Sequence, residues 1–274
     1  MTDQAANLEQ AAMPDAKTSF GDQRGLGVLV PLAILIGWEL CGQFGLLPRY
    51  IVAPSKIIAT WWEMLSSGEL IGHVGSSMFR QSLGLLFGAS CGTLVGVLAG
   101  MFGPIGRFYE PLVSLIYPVP KVAILPLIFA WFGLGDLSKI VVMTISIFFP
   151  TYIAAYHGAK SVNKVHLWTA QNVGASRARL IRQVVIPSAL PDIFNGLRIG
   201  LALSFVLMVT TEFVVSTKGL GYVIARAEEN LRFDRMYAAI LTIAILGFCA
   251  DRLLLKIREY FLVGQLMSKD RGHG

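Results

Sequence analysis

The sequence predicts an all-α, polytopic membrane protein with about six transmembrane helices. Three observations lead there. Only 15% of the 274 residues are charged and 54% are hydrophobic, with a mean hydropathy of +0.62; soluble domains carry roughly 25% charge. Six apolar runs follow one another along the chain, several of about 18 residues or more, the length that spans a bilayer. Between the fourth and fifth runs lies a polar stretch, 160–191, with Lys160, Lys164, Arg177, Arg179 and Arg182 and no Asp or Glu. The formal net charge of +6 therefore reads as an orientation signal in a membrane protein. Membrane lipid is an expected partner and nucleic acid is not.

Residues 1–25 are polar, mixed in charge and contain Pro14, which reads as a disordered cytoplasmic tail. Asp3, Glu9, Asp15 and Asp22 argue against a cleaved leader. The transmembrane domain is expected over 26–260, with a second cytoplasmic tail over 261–274. Its first run, 26–42, is just long enough to span, and Trp38 near its end suits an interfacial belt. Ile57, Ile58, Trp61, Trp62 and Leu65 then mark a short amphipathic helix on the outer surface.

The second run, 81–101, carries Gly84, Gly88, Gly92, Gly96 and Gly100. Glycines four apart form one stripe along a helix and let another helix approach closely, the usual interface pattern in lipid. The third run, 109–131, contains Pro118, Pro120, Lys121 and Pro126. Each internal proline removes a helix hydrogen bond, so this span is expected to be broken where it is buried or lines a cavity. Lys121 either faces a pore or reaches back to the inner interface.

The fourth run covers 140–156, the fifth 193–215 and the sixth 236–254. In the fifth, Gly196, Gly200 and Ser204 form a second small-residue stripe, and Thr210, Thr211 and Glu212 are polar near its outer end. An intramembrane carboxylate is a functional candidate, and Glu212 could equally brace the Gly219–Gly221 loop. Arg198 lies about two turns inside the other end of this run. Cys41, Cys91 and Cys249 fall in or beside apolar runs and read as small buried hydrophobes, without disulfide or metal spacing.

Counting Lys and Arg in alternate connections gives orientation. With the N-terminus in the cytoplasm, thirteen fall inside and eight outside, the eight being Arg49, Lys56, Arg80, Lys139, Lys218, Arg226, Arg232 and Arg235. Both termini and the stretch 160–191 are thus expected in the cytoplasm. Within that stretch Asn163 can cap a helix to Val173, Gly174 can stop it, and Ser176 can cap a second helix over 177–185 ended by Pro187.

The spacing from Gly174 to Ile186-Pro187 resembles the cytoplasmic EAA loop of ABC importer permeases. That loop reads Glu-Ala-Ala, three residues, Gly, nine residues, an aliphatic residue, one residue, then Leu-Pro. Here Trp168, Thr169 and Ala170 occupy the first three places, Val184 the aliphatic one, and Ile186-Pro187 the last two. SALPDIFNGLRIGL, PVPKVAILPLIFAWFGLGD, and Glu212 followed by Lys218-Gly-Leu-Gly-Tyr222 are similar to the nitrate/sulfonate/taurine/bicarbonate branch of that family. The resemblance covers 78–254.

It implies a type I ABC importer permease fold in the bacterial inner membrane. It also implies a partner set: a second permease copy, most simply a homodimer, a cytoplasmic ATP-binding subunit dimer and an extracytoplasmic substrate-binding protein. The coupling contact falls to Trp168, Thr169, Ala170, Val173, Gly174, Ala175, Ser176 and Pro187. Because Trp168 replaces the family's glutamate, apolar docking around Trp168 and Val173 is expected in place of a charge. The translocation path is assigned to Pro120, Lys121, Pro126, Arg198, Ser204, Thr211 and Glu212, for a small anionic solute.

No cofactor is expected on this chain, with ATP and Mg on the partner subunit, since G-x-x-x-x-G-K-[ST] does not occur in the sequence. Neither a catalytic centre nor a metal site is expected: His73, His157, His166 and His273 are scattered, with no H-E-x-x-H. The alternatives are a permease for another nutrient such as a vitamin precursor, or an ATP-independent secondary transporter. The latter would want coupling carboxylates within the spans and repeated halves.

Overall fold

The computed structural model describes residues 23–172 and 174–270. The expected N-terminal tail up to residue 22, Val173, and the last four residues of the C-terminal tail lie outside the described residues. The chain divides into two units, residues 1–56 and 57–274.

In the first unit, α1 (Gln23–Gln43) carries an apolar stretch over Leu29–Gln43. The Glu39 carboxylate accepts the Ser55 N–H at 2.9 Å and the Ser55 hydroxyl at 2.6 Å. It thereby satisfies orphan donors at the start of α2 (Pro54–Ser66), where a negative charge also suits the helix dipole.

The second unit takes up the rest of α2, then α3 (Glu69–Met101), α4 (Gly103–Ile116), α5 (Leu125–Phe132), α6 (Asp136–Lys160) and α7 (Lys164–Asn172). After these come α8 (Arg177–Leu180), a π-turn (Ile181–Val185), α9 (Ile186–Val214), α10 (Leu220–Glu229) and α11 (Phe233–Asp270). Among the described residues, four helical stretches are long and apolar enough to cross a membrane: Glu69–Met101, Asp136–Lys160, Arg177–Val214 and Phe233–Leu262. The third apolar run is two helices, α4 and α5, separated by residues 117–124. Pro126 sits in the first turn of α5, where its missing N–H costs nothing.

The centre of this unit is α6. On one side the glycines of α3 press against its backbone: a Cβ at Gly88, Gly92, Gly96 or Gly100 would stand 2.7, 2.7, 2.6 and 2.7 Å from the carbonyl oxygens of Thr144, Phe148, Tyr152 and Tyr156. A Cβ at Gly84 would meet that of Met143 at 2.5 Å. On the other side Gly196 and Gly200 of α9 do the same to Pro150 and Ile147. Hydrocarbon gives no hydrophobic drive between helices, so close backbone approach and dispersion hold them.

Burial departs from the sequence expectation in a consistent way. Arg80 and Lys139, counted as connection charges, are 5% and 2% exposed. Cys91 and Cys249, expected in the interior, are exposed, as are Leu86, Leu94, Phe248 and Leu253. Polar groups turn inward to find partners and apolar ones turn outward, as a lipid surround requires. Taking Arg80 and Lys139 out of the outer set leaves six cations there against thirteen.

Candidate functional site

The polar segment between α6 and α9 forms a short displayed helix with defined ends. Asn163 Oδ1 accepts the Val165 N–H at 2.9 Å, supplying the N-cap of α7. At the other end Gly174 has φ +78°, and the Ala175 N–H donates to the Ala170 carbonyl at 3.0 Å. This is the six-to-one bond of a Schellman cap, which favours glycine at the left-handed position. The Ser176 hydroxyl accepts the Arg179 N–H at 3.4 Å and starts α8. Thr169 turns inward on its own helix, its hydroxyl donating to Val165 O at 2.9 Å.

One side of α7 is anchored and another is free. Leu167 packs against the cluster of Val97, Ala155, Ala159, Val162, Val185, Ala189 and Ile193. Val165 and Trp168, three residues apart, are 57% and 61% exposed. The expected stop at Pro187 does not occur, and this corrects the boundary read from sequence: the helical run continues from Arg177 to Val214. The π-turn over Ile181–Val185 widens the helix just before Pro187, where the proline lacks a donor and its ring would crowd the preceding turn.

The seven residues assigned to a path do not share one surface. Pro120 lies in the 117–124 break and Pro126 at the start of α5, both exposed. The Lys121 ammonium donates to Tyr117 O at 2.8 Å and lies over the Tyr117 ring at 4.6 Å and the Phe149 ring at 5.8 Å. Arg198 pairs with Asp251 of α11 at 2.6 and 3.0 Å, half-exposed.

Ser204, Thr211 and Glu212 are all 0% exposed. Ser204 accepts from Gln81 Nε2 at 2.5 Å, and Thr211 donates to Met208 O at 3.0 Å. The Glu212 carboxylate accepts from Arg80 Nη1 at 2.6 Å, from the Ser77 hydroxyl at 2.8 and 2.9 Å, and from the Gly221 N–H at 3.1 Å. These contacts tie Glu212 to α3 and to the Gly219–Gly221 connection. Arg80 also reaches Asp136 Oδ1 at 2.7 Å and Lys218 O at 3.0 Å, so α3, α6, α9 and the connection to α10 meet at one guanidinium.

Two features were missed in the sequence. A groove of about 360 Å³ between α6 and α9 is lined by Tyr117, His157, Asp192 and Asn195 among others. The Asp192 and Asn195 spacing on a helix was the available signal, hidden within an apolar run. The other is α10, a helix where the polar composition after the fifth run suggests only a connection. A Cβ at Gly221 would stand 2.5 Å from Val209 O, so its first turn fits against α9 only as glycine. Beyond its end, Asp234 holds the Arg232 guanidinium above its ordinary value by hydrogen bonding and charge.

Residues 92–257 match the family described as binding-protein-dependent transport system inner membrane component. The taurine transport system permease protein TauC of Escherichia coli (strain K12) is 39% identical over 231 residues, 82% of this chain and 84% of that protein. The putative aliphatic sulfonates transport permease protein SsuC of Bacillus subtilis (strain 168) is 31% identical over 246 residues, 89% and 88% of the two chains. Among solved structures, a chain of the MetNI methionine ABC transporter in an inward-facing conformation superposes with a TM-score of 0.62. That match has 18% identity and covers 70% of this chain and 95% of the other, a likeness of fold. A multi-pass helical unit built on glycine contacts, with a capped polar helix displayed between two of its spans, thus belongs to the binding-protein-dependent transport system inner membrane components, the permease subunits of ABC importers.

Proposed function

We propose that this permease carries small anionic solutes of the aliphatic sulfonate and taurine class into the cell, paired with a second copy of itself. ATP and Mg are bound by a separate cytoplasmic ATP-binding subunit dimer, and solute is delivered by an extracytoplasmic binding protein. The substrate class rests on the taurine and aliphatic sulfonate permeases that resemble this chain over more than four-fifths of its length. The distribution of Lys and Arg supports both termini and α7 on the cytoplasmic side of the inner membrane.

The observation that carries the coupling role is the two-sided character of α7. Leu167 ties it to the membrane-spanning helices, while Val165 and Trp168 are exposed. Exposed apolar groups on a polar cytoplasmic segment fit a partner's groove. Thr169, Ala170, Gly174, Ala175 and Ser176 shape the caps that present this face, and Pro187 lies in the helical run that leads from it into the membrane. Closure of the ATP-bound dimer would move the short helix, and with it α9.

The path is proposed along the broken α4–α5 span and the α6–α9 groove, where Pro120, Lys121 and Pro126 are joined by His157, Asp192 and Asn195. The groove opens on the surface of the single chain, so a second copy would be needed to enclose it. Ser204, Thr211 and Glu212 support the walls, and Arg198 steadies α9 against α11.

The test is uptake of labelled taurine into proteoliposomes holding the permease, its ATP-binding subunit and its binding protein. Uptake should require internal or external ATP on the ATPase side and survive collapse of the proton gradient. Uptake that persists without ATP while the gradient is kept would reject the reading.

A further inference from the structure

A cleft of about 740 Å³ opens where α3 begins, between its first turns, the connection after α9, α10 and the turn into α11. Among the described residues its walls carry four cations, Lys218, Arg226, Arg232 and Arg235, against one carboxylate, Glu69. Glu69 is occupied by Arg235 at 3.0 and 3.2 Å, and Arg232 by Asp234 at 3.1 Å. The one carboxylate that Arg226 meets among the described residues is Glu229, in a surface pair with both side chains about 60% exposed, and such pairs hold weakly. Lys218 has no carboxylate partner among the described residues.

Neutral donors stand beside these two cations. The Gly219 N–H donates to His73 Nδ1 at 3.1 Å, which puts the proton of the neutral ring on Nε2, a donor. The Tyr222 hydroxyl accepts from Arg226 Nε at 3.3 Å and keeps its own proton to give. Val223 and Ala227 add an apolar strip to the same wall. The volume is that of a small-molecule site, and the lining combines a few convergent donors with apolar surface.

We propose that this cleft binds an organic anion with an oxyanion head and a short aliphatic tail, an aliphatic sulfonate, before it reaches the membrane-spanning path. Lys218 and Arg226 bind the head, with the Tyr222 hydroxyl and His73 Nε2–H as neutral donors, and Val223 and Ala227 lie along the tail. Guanidinium and ammonium together favour a multi-oxygen head over a neutral or cationic solute. The proposal rests on the sulfonate reading of the importer and adds a site on the permease itself.

The experiment measures binding of radiolabelled butanesulfonate to the permease–ATP-binding subunit complex in lipid nanodiscs, without the binding protein. The native complex should bind saturably, and more weakly as salt is raised. Lys218→Gln with Arg226→Gln should raise Kd at least tenfold, and Tyr222→Phe a few-fold, with ATPase activity and thermal stability kept as folding checks. Equal binding by the double variant overturns the proposal, as does absence of saturable binding in a native complex that transports the sulfonate. Uptake by the complete importer is followed in parallel. Failure of sulfonate uptake there removes the transport reading, and the cleft then stands or falls on butanesulfonate binding alone.

Discussion

Arg80 Nη1 lies 2.6 Å from Glu212 Oε1, and the two side chains are 6% and 0% exposed, on helices 132 residues apart in sequence. A carboxylate this deeply enclosed needs a cation and several hydrogen bonds. Glu212 has both. Replacing Arg80 by Gln leaves the Glu212 carboxylate buried without its cation, which costs about 3–5 kcal/mol, whereas Glu212→Gln costs less because Arg80 keeps Asp136 at 2.7 Å. Removing both, as Arg80→Met with Glu212→Leu, should cost clearly less than Arg80→Gln alone. Thermal unfolding of the three variants in detergent checks this ordering; additive losses would contradict it.

The α3–α6 contact makes a sharper prediction about size. At Gly92 a Cβ would already stand 2.7 Å from Phe148 O. Gly92→Leu must push two helix backbones apart, at a cost of roughly 1–3 kcal/mol or more. Gly37, which has nothing within 4 Å of its added Cβ, should accept Leu with little change. Membrane yield and melting temperature of the pair measure the difference.

Gly174 carries φ +78° without any crowding around it. Substitution there is felt through the backbone alone. Gly174→Val should cost about 1–2 kcal/mol locally and loosen the cap of α7. The expected result is normal insertion and dimer formation, with ATP hydrolysis no longer stimulated by the loaded binding protein. Full stimulation in this variant would remove the cap from the coupling contact.

Trp168 offers a complementary test on the exposed side of the same helix. Trp168→Ala should weaken binding of the ATP-binding subunit at least tenfold, within the range of an interface aromatic, and leave the melting temperature of the isolated permease within a degree or two. Titration of the purified ATP-binding subunit onto nanodiscs reads the first, calorimetry the second.

Arg198 and Asp251 form a half-exposed pair between α9 and α11. Pairs of this kind contribute little to stability. Arg198→Gln should therefore leave stability nearly unchanged and uptake within about twofold. A tenfold loss of uptake at unchanged stability would place Arg198 on the path instead.

Much of the architecture was legible because it depends on period. Glycines at 84, 88, 92, 96 and 100 share one face on any helix, and only a close neighbour explains them. The break near Pro118, Pro120 and Pro126 followed from missing donors. Pro187 was misjudged by the same rule, because a π-turn one step earlier absorbs the defect and the sequence gives no sign of it. The roles of Arg80 and Lys139 were hidden for a different reason. Both stand near run ends, where a cation reads as a surface charge, and their partners Asp136, Glu212, Leu134 and Gly135 come from other turns and helices. The α6–α9 groove was illegible because Asp192 and Asn195 flank residues that pack in the core, Ile193 and Phe194.

The π-turn before Pro187 has a mechanical consequence. By letting the hydrogen bonding run on past Pro187, it joins the 38 residues from Arg177 to Val214 into one helical run. One tip begins just after the cap at Gly174, and the other ends beside Glu212 and its grip on Arg80. The same helical run therefore meets the displayed segment at one end and holds the partner of Arg80 at the other, joined without a break in the helix.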